Sequence, residues 1–132
     1  MRHLLISLFV LSLLLTGCGK EGLGTPAELS SFFEELKDNG VEGSVLIRPP
    51  FNKDMDYVAE YAIAKYASTR IISLFKFRDA DKAEMNLLES LKNNKLSGQA
   101  RNGKFVMVAT FFPSDEVAVD KIKLLFLAQK FD

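Results

Sequence analysis

The chain has 132 residues, 48% of them hydrophobic, with 17 basic side chains against 17 acidic ones. That length suits one domain around one core, and the balanced charge without long single-sign runs shows neither a nucleic-acid footprint nor a polybasic membrane patch. A single His and a single Cys exclude zinc sites built on His and Cys ligands, and dithiol redox chemistry.

The chain opens with a short polar stretch, Arg2-His3, then an apolar run from Leu4 to Leu15 interrupted by Ser7 and Ser12. A spanning helix needs about 20 apolar residues, so this length suits a secretory leader instead. Leu15-Thr16-Gly17-Cys18 closes the run and resembles the lipobox of bacterial lipoprotein signal peptides. The resemblance implies that residues 1–17 are removed and that Cys18 carries palmitate-type acyl chains and begins the mature protein. It also implies a bacterial cell envelope location. Gly19 stands where lipoproteins of this kind kept at the inner membrane commonly have Asp, which points to the outer membrane, facing the periplasm, in a Gram-negative cell.

On this reading the mature chain has 115 residues, loses His3, and keeps no thiol beyond the anchor. A His-based triad, haem ligation by His and thiol catalysis are then excluded. Two or more acyl chains anchor stably where one anchors marginally.

Gly19 to Gly24 reads as a glycine-rich flexible tether, completing a segment 18–24 between the anchor and a single domain over 25–132. Its glycines match neither dinucleotide- nor mononucleotide-binding spacing, and no strand precedes them. Thr25-Pro26-Ala27-Glu28 reads as a helix start, with Thr25 capping, Pro26 at the first helical position and Glu28 completing a capping box. Leu29, Phe32, Phe33 and Leu36 supply its apolar face, and Asp38-Asn39-Gly40 ends it. A strand over Val41–Arg48 stops at Pro49-Pro50.

Asn52-Lys53-Asp54-Met55-Asp56 resembles the opening of a calcium loop, but Tyr57 fills the glycine position and Ile63 the bidentate-Glu position, so a turn is expected and no metal. Met55, Val58, Ala59, Ala62, Ile63 and Tyr66 recur at helical spacing and predict a second helix over Asp54–Tyr66. Tyr57 and Tyr61 would stack on its other face, as a platform for a partner or as cover for a loop.

Ile71–Phe77 is apolar on both faces, the mark of an interior strand. Its Ser73 and Lys76 spell the S-x-x-K of serine acyl-transfer enzymes, but residues three apart in a strand point to opposite sides. A helix capped by Asp79 or Asp81 follows to Asn93-Asn94. Strands over Leu96–Ala100 and Lys104–Phe112 are joined by a tight turn at Asn102-Gly103, the second being the expected sheet centre. Ser114 caps the last helix. In that helix Ala118, Ile122, Leu125 and Phe126 face the core, while Leu124 and Leu127 place apolar groups on the opposite side. Either another element of the domain covers that side or a partner does.

The expected fold is α+β: a single small domain with a mostly antiparallel four-stranded sheet packed by helices. The pattern from Ile71 to Phe126 suggests a permuted ferredoxin-like arrangement completed by Val41–Arg48. The expected function is a membrane-anchored, non-enzymatic binding or scaffolding module for a protein partner, with Tyr57, Tyr61, Leu124 and Leu127 as candidate contacts. A module for a small hydrophobic ligand is the alternative. No cofactor, metal or nucleic acid is implied, and self-association is a second route to covering the last helix.

Overall fold

A computed structural model describes residues 24–63, 69–93 and 98–131. Residues 1–17, the expected anchor Cys18, residues 19–23 of the expected tether, Tyr66, and Leu96 at the expected start of a strand lie outside the described residues. Three helices and five strands follow in the order α1 (Ala27–Asp38), β1 (Ser44–Arg48), β2 (Met55–Ala62), β3 (Thr69–Phe77), α2 (Ala80–Asn93), β4 (Gln99–Asn102), β5 (Phe105–Phe112) and α3 (Glu116–Leu127). The fold is α+β, with one antiparallel sheet of order β1-β2-β3-β5-β4.

The sheet has five strands because the expected second helix is a strand. Met55–Ala62 pairs with β1 on one edge and β3 on the other. Its helical spacing has a definite source. The register slips between Met55↔Phe77 and Tyr57↔Lys76, leaving Asp56 as a bulge. An extra residue there puts Met55 and Val58 on one face although they are three apart, which mimics a helix turn. Beyond the bulge Tyr57, Ala59, Tyr61 and Ile63 alternate normally onto the opposite face.

β3 and β4 are each antiparallel to β5, which lies between them. The expected split β-α-β unit therefore forms from β3, α2, β4 and β5. The strand beside β3, however, is Met55–Ala62, and Ser44–Arg48 pairs outside it as the fifth strand. The helices also lie on opposite sides of the sheet: α1 and α3 pack with Ile72, Leu74 and Met107 on one face, α2 with Val58, Phe77 and Val106 on the other. The arrangement is thus not ferredoxin-like. The sheet's middle is β3, with β5 next to it and short β4 at the edge.

The larger core layer is aromatic. Phe32 of α1 meets Phe126 of α3 edge-on at 5.7 Å and Phe131 at 6.2 Å, and Phe33 stacks on Tyr61 at 5.0 Å. Such pairs add to their burial energy about 0.5–1.5 kcal/mol each. The helix ends follow local chemistry. Gly40, at φ +82°, ends α1 in a Schellman motif: its N–H donates to Lys37 O, and Val41 N–H to Leu36 O. Asp79 Oδ1 accepts from Lys82 N–H ahead of α2. Asp115, not Ser114, caps α3 by accepting from Ala118 N–H at 3.1 Å.

Candidate interaction surface

The four candidate contact residues separate into two pairs. Tyr57 and Tyr61 share a face, as their spacing requires in a strand as in a helix, but that face is the one α1 and α3 cover. Tyr61 is 0% exposed, and its hydroxyl donates to Val41 O at 2.6 Å. Tyr57 is half-buried and donates to Glu28 Oε2. The pair forms no surface platform. Burial, then the bond to Glu28, push the Tyr57 phenol well above its ordinary value, and burial raises Tyr61 likewise. Leu124 and Leu127, by contrast, are 68% and 46% exposed on the outer side of α3, where Val117 is 83% exposed.

Glu28 does not close a capping box. The N-cap position of α1 is Pro26, with no side-chain cap bond. The Glu28 carboxylate instead reaches the sheet, where both oxygens accept from Lys76 Nζ at 2.9 and 3.0 Å. Lys76 is held by Asp56 at 3.9 Å as well, and its ammonium lies 5.9 Å and 5.8 Å from the Tyr57 and Phe105 ring centroids. The outward turn of Asp56 at the bulge and the inward alternation of Tyr57 and Lys76 assemble this cluster, which ties the first turn of α1 to β2 and β3. Nothing in the spacing of residues 28, 57 and 76 announced it, since the contacts close loops of 29 and 48 residues.

A second ion pair marks the other end of the domain, where Arg70 meets Asp115 at 3.2 Å and lies over the Phe111 ring at 4.8 Å. Two small cavities flank it. One, of about 260 Å³, is bounded by Gly98, Ala109, Phe111 and Val119; the other, of about 170 Å³, by Val41, Ile63, Phe111 and Ile122. Both fall below the 300–1,000 Å³ usual for ligand pockets. A broad open trough lies on α2 along Met85, Leu88, Glu89 and Lys92.

The sequence reading missed two further apolar exposures. Met85, Leu88 and Leu91 face outward on α2, whose inner side is carried by Ala83 and Leu87. Their density around the helix was the available signal. α2 covers β3, β4 and β5 and reaches Met55 and Val58 of β2, and the β1 edge beyond stays open, with Leu46 51% exposed and Phe51, 66% exposed, edge-on to Phe75. Among the described residues, no cluster of His, Cys, Asp and Glu could hold a metal ion, and no helix is long and apolar enough to cross a membrane. No family model matches the chain, and no curated protein and no solved structure matches it either.

Proposed function

We propose that this protein is an envelope lipoprotein, anchored through Cys18, that acts without catalysis as a binding or scaffolding module for a protein partner at the membrane surface. The observation that carries this reading is the exposed apolar side of α3, Val117, Leu124 and Leu127. A helix of a small domain that buries Val119, Ile122 and Phe126 has no folding need for large apolar groups on its other side, and such patches mark interaction sites. The small volumes of the two cavities beside Arg70, and the open shape of the trough of about 770 Å³ on α2, favour this reading over the rival small hydrophobic-ligand module. That rival rests on the mostly apolar lining of the cavity bounded by Ala109, Phe111 and Val119.

The test is crosslinking in intact cells followed by mass spectrometry, comparing the native protein with Leu124→Glu and with Cys18→Ala. A partner, or a second copy, captured by the native protein and lost from both variants is the expected result. Leu124→Glu should leave the far-UV CD unchanged, because the side chain is already solvated. Capture that survives Leu124→Glu undiminished would sink the α3 surface. A hydrophobe co-purifying with the protein, with no crosslinked partner, would favour the ligand-binding reading.

A further inference from the structure

We propose that one end of the domain rests on the lipid headgroups, with Phe51 and Lys53 of the β1–β2 connection, Lys104 of the hairpin turn and Lys130 after α3 as its contacts. The proposal rests on the reading of Cys18 as a lipid anchor and goes beyond it by assigning an orientation and a contact surface.

Four connections converge at the end where α1 begins. Glu28, in the first turn of α1, is bonded to Tyr57 and Lys76. Arg78 N–H donates to Asp54 O, joining the β3–α2 and β1–β2 connections. Phe77 N–H donates to Lys104 O, bringing in the hairpin turn, where Gly103 has φ +62°. Asn102 Nδ2 donates to Phe126 O and Gln129 O, which brings the end of α3 alongside, with Phe131 4.7 Å from Phe105.

Chain length selects this end for the membrane. Six residues, 19–24, separate Cys18 from Thr25. Six residues reach at most about 20 Å when fully extended. The 12 residues of α1 then carry the chain about 18 Å to the opposite end of the domain. The start of α1 is therefore held within tether reach of the bilayer, and a domain resting on this end directs Gly40, Arg70 and Asp115 away from it.

Charge sorts the two ends in the same sense. Lys53, Lys104 and Lys130 are exposed and form no ion pair among the described residues. Of the acids near them, Asp56 pairs with Lys76 and Arg78, Glu28 pairs with Lys76, and Asp79 accepts from Lys82 N–H at the start of α2; Asp54, half-buried, and Asp81, exposed in the first turn of α2, form no ion pair among the described residues. The far end exposes Asp38, Glu42 and Glu116, which anionic headgroups repel, alongside Lys37 and Lys121. Lysines at 53, 104 and 130 are scattered in the chain and gather only in the fold. Juxtaposed lysines attract anionic lipid, and an exposed Phe beside them suits the interface.

The test is a lysine footprint of the full lipidated protein on vesicles of phosphatidylethanolamine and phosphatidylglycerol, using a membrane-impermeant amine-acylating reagent. The reference is the same protein in detergent. Severalfold protection of Lys53, Lys104 and Lys130, with Lys37 and Lys121 modified as in detergent, is the expected result. Equal or greater protection of Lys37 and Lys121, or protection of none, overturns the orientation while leaving the anchor intact. Mass spectrometry showing Cys18 without lipid, and protein that does not float with the vesicles, overturns the anchor reading and this inference with it.

Discussion

Replacing Glu28 by Gln separates two roles that this side chain could play. In a capping box, Gln serves at the third helical position as Glu does, so the substitution would be close to neutral. In the cluster seen here, Gln can still accept from Tyr57 but removes the counter-charge from a Lys76 ammonium only 16% exposed. Stripping one partner from a buried ion pair costs about 3–5 kcal/mol. Glu28 is itself 21% exposed, and Asp56 at 3.9 Å gives Lys76 a partial replacement. The expected loss is therefore about 2 kcal/mol, below the fully buried range. Urea unfolding followed by far-UV CD, on a soluble form beginning at residue 19, should show a lower midpoint with an unchanged slope. Lys76→Met and the double variant complete a cycle with an expected coupling of about 1 kcal/mol or more. A Glu28→Gln variant within about 0.5 kcal/mol of the parent, with no coupling to Lys76, would refute the ion-pair account.

Three more substitutions or titrations probe other parts of the fold. Gly43 precedes β1, and a Cβ there would lie 2.3 Å from Ala62 O, a backbone atom that cannot swing aside. Gly43→Ala should cost at least the 1–3 kcal/mol of ordinary overpacking, approximately, and a thermal midpoint equal to the parent's would show that β1 does not run this close to β2. At Gly40 nothing lies within 4 Å, so Gly40→Ala should cost only the left-handed backbone penalty of about 1–2 kcal/mol; a neutral result would contradict the Schellman ending of α1. Folding keeps the Tyr57 and Tyr61 phenols protonated, so their contribution to stability is complete below the ordinary tyrosine value of about 10 and is lost as pH rises above it. Phenolate absorbance should accordingly show two late-titrating groups, one removed by Tyr57→Phe and one by Tyr61→Phe. All three tyrosines ionising near the ordinary value, with the far-UV CD intact, would contradict the buried arrangement.

Features governed by neighbouring residues were legible in the amino-acid order. Asn39-Gly40 ends a helix because the next carbonyls need a left-handed residue, and Asn102-Gly103 turns a hairpin for a similar reason. Ile71–Phe77 read as interior because both its faces are apolar, and β3 is the middle strand. The outward Leu124 and Leu127 followed from the period of a helix whose core stripe was unmistakable.

What only the tertiary structure decided was everything that depends on distant partners. Met55 to Ala62 carries a helical spacing because a bulge at Asp56 shifts two apolar side chains onto one face, and two flanking strands hold it extended. Tyr57 and Tyr61 share a face under either conformation, so their spacing could not say which layer they meet; α1 and α3 settle that by covering them. Glu28 could have capped its own helix by accepting from the Thr25 backbone N–H, but Lys76 and Tyr57 offer its carboxylate a full positive charge and a half-buried hydroxyl. A local pattern determines what a segment can do, and long-range packing selects among those options because a buried charge or a strand edge must find its partner wherever the chain supplies one.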